Sequence, residues 1–271
     1  MVETFFKYQG LGNDFVVIDR RGTGLDVDAA LTRRLCDRHF GIGADGVLAI
    51  LPEPGTAGRM VVHNADGSIA EMCGNGLRCV VKHLAERGSE RAAVMDVATG
   101  AGVLRCELGW GARTVETVTV SMGKAQLRAP ILPHGGPFVQ QPLEGQLATA
   151  VSMGNPHCVL LDTPLSEAAR LGPLLEVHPL FPSRTNVEFV RPLEGGGLEV
   201  VVWERGVGLT LACGTGACAA LVASALAGRS AFDTWTRVRL PCGELELKAA
   251  ADLSQVWLKG PVAFVFEGAL P

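Results

Sequence analysis

Met72–Cys79 reads MCGNGLRC, and 140 positions after Cys73 the chain repeats itself, with Ala212–Cys218 reading ACGTGAC. In both stretches a cysteine is followed by a glycine, a small polar residue and a second glycine. The echo extends outward in both directions. Val61-Val62 begins twelve residues before Cys73, and Val201-Val202 begins twelve before Cys213. Gly88 follows Cys73 by fifteen residues, as Gly228 follows Cys213. Upstream, GLGNDFVVID at Gly10–Asp19 resembles SMGNPHCVLL at Ser152–Leu161; downstream, TGAGVLRCEL at Thr99–Leu108 resembles LPCGELEL at Leu240–Leu247. The order is conserved and the offset nearly constant, so half the chain is a copy of the other half, with a period too long for a solenoid.

Each half alternates in the same way. FVVIDRR, GVLAIL and RMVVHN are strand-like in the first half; HCVLL, NVEFVRP and LEVVVWERG are their counterparts. A helix is expected from about Gly76 to Arg87, with Leu77, Val80, Val81 and Leu84 on one face. Gly88 then stands where a C-terminal cap belongs. The second helix, about Gly216 to Ala227, is apolar all round, which predicts burial within a cup of strands. The expected class is therefore α+β, with two mainly β domains related by a pseudo-two-fold axis, each holding a central helix. The linker falls near residues 115–118, and RAPILPHGGP at Arg128–Pro137 is a turn-rich stretch inside the second half. The final PVAFVFEG is strand-like and suits either half.

With 271 residues, 48% hydrophobic and 19% charged, the chain has the material for a large core. A net charge of −4 and the absence of clustered Lys and Arg argue against a nucleic-acid surface. The longest apolar run, Ala217–Ala227, is too short for a membrane span and is broken by Ser224. MVETFFKYQG lacks the layout of a signal peptide, so a cytoplasmic enzyme or binding protein is the expectation. Eight cysteines in such a chain are expected to stay reduced. No CxxC occurs, and the Cys73–Cys79 and Cys213–Cys218 spacings are not those of a zinc site. GIGADG at Gly41–Gly46 satisfies a dinucleotide fingerprint with Asp66 twenty residues on, but a helix-like segment precedes it and a strand-like one follows, the reverse of what that motif needs.

The repeated cysteines each sit just before the first turn of a helix. Unpaired N–H groups and the positive end of the dipole collect there. Such a position lowers a thiol's pKa, and the glycines let backbone approach a ligand closely. If the repeat brings both thiols to one cleft, one removes a proton from a stereocentre and the other returns a proton to its opposite face. Such inversion needs no redox cofactor, pyridoxal phosphate or metal, provided dipoles stabilise the carbanion. An oxidised sample is expected to join Cys73 to Cys213 as an inactive product. Cys36, Cys79, Cys106, Cys158, Cys218 and Cys242 are read as small core residues.

GLGNDFVVID, HFGIGADGVL, NADGSIAEMCGNGLRC, GNPHCV, RTNVEFV and WERGVGLTLACGTGACA, in this order, resemble the diaminopimelate epimerase family, whose members racemise an amino-acid centre without pyridoxal phosphate. The resemblance covers essentially the whole chain. It implies two similar domains, each a barrel-like sheet around a helix, with the last strand returning to the first domain; the expected domains are 1–115 with 262–271, and 116–261. It implies interconversion of LL- and meso-diaminopimelate in lysine synthesis, no cofactor, and a cytoplasmic homodimer with a small-molecule substrate and neither nucleic acid nor membrane as partner. The catalytic pair carries over to Cys73 and Cys213. Substrate contacts carry over to Asn13, Asn64, Gly74, Asn75, Asn155, Asn186, Glu204, Arg205, Gly214 and Thr215, and a role in tuning thiol pKa to His157 and Glu204.

Gly74-Asn75 and Gly214-Thr215 would offer N–H groups to the reacting carboxylate, and Arg205 would hold the distal one. Asn64, Asn155 and Asn186 would bind the distal amino-acid end. Each residue also has a plainer reading: Asn13 and Asn64 as turn residues, Asn186 as a strand start, His157 as a core histidine, Glu204-Arg205 as a solvated pair. One departure stands out, because some family members carry Gln where this chain has Gly46. The rival activities are a proline- or hydroxyproline-type two-cysteine racemase, which carries histidine where this chain has Asn75, and a non-catalytic amino-acid-binding protein.

Overall fold

The computed structural model describes residues 3–88 and 91–270. The chain forms two compact units, Met1–Val120 with Lys259–Pro271, and Ser121–Leu258. The first contains β1 (Thr4–Gly10), β2 (Asn13–Asp19), α1 (Ala29–Cys36), β3 (Gly46–Leu51), β4 (Arg59–Asn64), β5 (Ile69–Ala70), α2 (Gly74–Glu86), β6 (Val94–Thr99), β7 (Gly102–Trp110) and most of β8 (Val115–Ser121). The second contains β9 (Gln141–Leu143), β10 (Gln146–Ser152), β11 (Pro156–Leu160), α3 (Ala168–Glu176), β12 (Asn186–Pro192), β13 (Leu198–Glu204), β14 (Gly208–Thr210), α4 (Gly214–Leu226), β15 (Thr236–Leu240) and β16 (Gly243–Ala249). The chain leaves the second unit within β17 (Val256–Pro261), and β18 (Ala263–Ala269) pairs antiparallel with β1. The expected 115/116 boundary falls at the start of β8, a continuous strand.

The strand registers show how closely the halves match. Phe15 pairs with Gly46 in the parallel β2–β3 ladder, and His157 with Asn186 in the parallel β11–β12 ladder. Leu48 faces Val62 across β3–β4, and Glu188 faces Val202 across β12–β13. Val62 then pairs with Ala70, and Val202 with Thr210. Because a strand's side chains alternate with period two, a common register puts equivalent side chains on equivalent faces.

Each unit closes its strands over one helix. α2 packs on β1, β2, β3 and β4; α4 packs on β10, β11, β12, β13, β15 and β16. The residues expected on the inner face of α2, namely Leu77, Val80, Val81 and Leu84, are all buried. In α4 every residue from Gly216 to Ala225 is buried, as an all-apolar helix requires. Both helices begin two residues earlier than the sequence reading placed them, at Gly74 and Gly214, because the cysteine itself is the N-cap. Gly228, at φ 72°, ends α4: its N–H donates to Ala225 O and that of Arg229 to Ser224 O, the paired C-terminal bonds that need a left-handed residue.

Candidate active site

In the first unit Cys73 has extended backbone (φ −142°, ψ 113°), and its Sγ accepts the Gly76 N–H at 3.4 Å. The first intrahelical bond runs from Leu77 N–H to Cys73 O, so the N–H groups of Gly74 and Asn75 precede the ladder and point out of the helix start. Asn13 lies against the thiol, with its Oδ1 3.8 Å from Cys73 Sγ and accepting from Asn75 Nδ2 at 3.2 Å. The orientation of both amides follows from chemistry. Arg78, which can only donate, gives Nη2–H to Asn75 Oδ1 at 2.8 Å, so Asn75 turns its NH2 to Asn13. Asn13 Nδ2 donates to Asp45 Oδ2 at 2.7 Å. Asn64, at the end of β4, is exposed and donates to Ser68 Oγ at 2.9 Å. Thus Asn13, Cys73 and Asn75 form one connected group, while Asn64 is held in a local turn.

In the second unit Cys213 is the N-cap of α4, and Ala217 N–H bonds its carbonyl, again leaving the Gly214 and Thr215 N–H groups ahead of the ladder. Its Sγ lies 3.6 Å from Thr215 Oγ1. Asn155 Nδ2 donates to Thr215 Oγ1 at 3.3 Å, and Asn155 Oδ1 lies 3.0 Å from His157 Nε2. His157 Nδ1 lies 2.7 Å from Glu188 Oε1, and both side chains are fully buried. Asn186 is committed to backbone: its Oδ1 accepts the Arg205 N–H at 2.9 Å and its Nδ2 donates to Pro156 O at 3.0 Å. Arg205 Nη1 donates to Ser183 O at 2.8 Å, and Glu204 accepts from Thr210 Oγ1 at 2.5 Å.

A lowered pKa for a thiol at a helix start does not hold for Cys213. Burial pushes it well above 9, and the nearby Glu204 and Glu188 carboxyls add to this; the Thr215 hydroxyl and the Gly216 N–H pull the other way without prevailing. Desolvation wins because this thiol is only 7% exposed. Burial likewise raises Glu188, against the opposing pull of His157. Most of the remaining thiols are core residues as expected. Cys36 is pushed up to about 11, and Cys79, Cys106 and Cys218 to about 12, all by desolvation first. Cys242 departs from that reading: it is half-buried, and its Sγ donates to Leu211 O at 3.0 Å, two residues before Cys213.

Three residues that orient these networks, Glu188, Asp45 and Arg78, escaped the sequence reading. Glu188 carries a visible signal, a lone acid in the otherwise apolar run VEFV, whose strand is buried from Asn186 to Val190. Such a residue needs a partner, here His157. Asp45, in GIGADG, gives no comparable signal. The glycine at 46 has a local cause. A Cβ there would come within 2.5 Å of His63 O on the neighbouring strand, so a side chain at the position requires this backbone to shift.

The diaminopimelate epimerase family model matches residues 5–128 and 149–265. The chain is 48% identical over 274 residues to the diaminopimelate epimerase of Desulforudis audaxviator, covering 97% of this chain and 98% of that one. It is 43% identical to that of Moorella thermoacetica, covering 98% and 99%. Among solved structures, a hydroxyproline epimerase from Agrobacterium vitis shares the fold, with a TM-score of 0.72 at 16% identity, covering 99% of this chain and 91% of that one. A PhzF-family protein from Bacillus anthracis aligns at TM-score 0.75 and 16% identity, covering 100% and 99%. With a thiol capping the central helix of each duplicated unit and near-complete alignment to these relatives, the chain belongs to the diaminopimelate epimerase family of isomerases.

Proposed function

We propose that this protein interconverts LL-2,6-diaminopimelate and meso-2,6-diaminopimelate in lysine biosynthesis, with Cys73 and Cys213 as the acid and base on one α-carbon. The observation that carries the reading is the twice-built helix start: a cysteine N-cap followed by two N–H groups ahead of the helical ladder in each unit. In each turnover one cysteine takes the α-proton as thiolate and the other, as thiol, protonates the opposite face; the roles exchange when the direction reverses. The N–H groups of Gly74, Asn75, Gly214 and Thr215 bind the reacting carboxylate, where charge builds as the proton leaves. Arg205 takes the distal carboxylate, while Asn64, Asn155 and Asn186 engage the distal amino-acid end. His157 and Glu204 tune the Cys213 thiol, and Glu204 is among the groups acting on it. In this reading no cofactor takes part.

The enzyme works in the cytoplasm as a homodimer. Phe264 and Phe266, both more than 40% exposed on β18, are consistent with a surface that a second copy covers. Among the described residues no helix is long and apolar enough to cross a membrane. The test is incubation of the reduced protein with LL-diaminopimelate in deuterated water. The meso product carrying one α-deuterium is expected; turnover of proline or hydroxyproline instead would favour the rival racemase, and no turnover of any of them a binding protein. Sedimentation velocity checks the dimer.

A further inference from the structure

Asn13 and Asn155 occupy matching places, each after the Gly of a Gly-Asn pair and each at the approach to its unit's thiol. They face opposite ways. Asn13 shows its carbonyl oxygen to Cys73, whereas Asn155 turns its amide nitrogen towards Thr215, whose hydroxyl oxygen lies beside Cys213 Sγ. In the first unit the direction is imposed by charged groups at either end, Arg78 and Asp45. Neither has a counterpart in the second network, which runs from Cys213 through Thr215, Asn155 and His157 and ends at Glu188.

We propose that Glu188 is a positioning residue for the second half-site: through His157 and Asn155 it aims the Thr215 hydroxyl proton at Cys213. The inference rests on the reading of Cys213 as an acid–base group. An amide oxygen only accepts, so the bond to Asn155 Oδ1 requires a proton on His157 Nε2. The partner of the other ring nitrogen decides whether that proton stays there. Glu188 Oε1 is that partner, 2.7 Å from Nδ1: with Nε2 protonated, either the Glu188 carboxylic acid donates to Nδ1 or an imidazolium Nδ1–H donates to the carboxylate. With its oxygen taken, Asn155 donates Nδ2–H to Thr215 Oγ1, and the remaining hydroxyl proton is free to point at the sulfur 3.6 Å away. A hydroxyl donor at that place stabilises a thiolate, the form in which Cys213 must leave or enter each turnover.

Leucine or phenylalanine cannot do this, and those are the residues at the equivalent positions of the first unit, Leu48 and Phe15. The second unit therefore replaces an apolar pair by a proton-bearing one at no change of register.

The experiment is a cycle of Thr215→Val, the pair Glu188→Leu with His157→Phe, and all three together, with melting curves as a check on folding. Thr215→Val keeps the backbone N–H proposed to bind substrate. If Glu188 acts through Thr215, each arm alone lowers kcat/KM about 5- to 100-fold and the triple variant is hardly worse than either. Glu188→Gln, whose amide donates to Nδ1, should recover most of the loss. Losses that multiply, or wild-type rates in the Leu/Phe variant, would overturn the proposal. Failure of the unmodified protein to epimerise would count against the proposed function instead. A readout without turnover then decides the network: the same cycle in a Cys73→Ala background, scored by the alkylation rate of Cys213 by mass spectrometry, again overlapping if the proposal holds and multiplying if it does not.

Discussion

Leu48 and Glu188 hold the same place in the two units. A Cβ added to Gly76 would come within 2.9 Å of Leu48 Cδ2, and one added to Gly216 would come within 2.9 Å of Glu188 Oε1. Each side chain thus lies under the first turn of its unit's central helix, one as hydrocarbon and the other as a buried acid. Glu188 Oε2 has no hydrogen-bond partner, so the pair with His157 satisfies only half of the carboxyl.

That difference has a stability consequence. His157→Phe alone strands a fully buried carboxyl, and unfolding by urea should show a loss of about 3–5 kcal/mol. Adding Glu188→Leu copies the apolar pair that the first unit already accommodates and should return stability to the wild-type value or above. A double variant as unstable as the single one would show that the pocket depends on the ion pair itself.

The two N-cap thiols are expected to be separately indispensable. Cys73→Ala and Cys213→Ala should each abolish epimerisation, and the serine versions should fall by about 100- to 10,000-fold, as loss of a matched acid–base group does. Deuterium wash-in at the α-carbon, followed by mass spectrometry, measures this. Unchanged inversion in both alanine variants would exclude the two-thiol mechanism.

Alkaline pH should destabilise the fold through its buried thiols. Cys79, Cys106 and Cys218 are raised to about 12 in the folded protein from 9. The unfolded chain therefore loses these protons first, so their contribution is complete below pH 9 and is lost as pH climbs from 9 towards 12. Unfolding free energy should fall across this window. Cys218→Ala should make the fall shallower by about 1.4 kcal/mol per pH unit. An unchanged slope in that variant would contradict the burial argument.

Gly46 should resist replacement. Gly46→Gln puts a Cβ where His63 O stands 2.5 Å away, and backbone must part to admit it. A loss of about 1–3 kcal/mol is expected from overpacking, visible as a lower melting temperature. A variant as stable as the parent would mean that β3 and β4 separate more easily than their register implies.

The duplicated architecture, the two central helices and the thiols at their starts were legible in the chain itself. They rest on local patterns: the spacing of Leu77, Val80, Val81 and Leu84, the glycine at 228, and a motif recurring at constant offset. Even there the helix starts were placed two residues late, because a cysteine is not an obvious N-cap. What lay beyond the sequence is everything that depends on partners far along it. Glu188 meets His157 from 31 residues away, and Asn155 meets Thr215 from 60. The direction in which Asn13 and Asn155 turn is set by Arg78, Asp45 and His157 through bonds that only the folded strands assemble. The same holds for Cys213: a helix start predicts a lowered pKa, but desolvation and two carboxyls brought close by tertiary packing outweigh the dipole and raise it. Local pattern determines where the thiols sit along the chain, and the long-range packing around Cys213 determines that its protonated form is favoured.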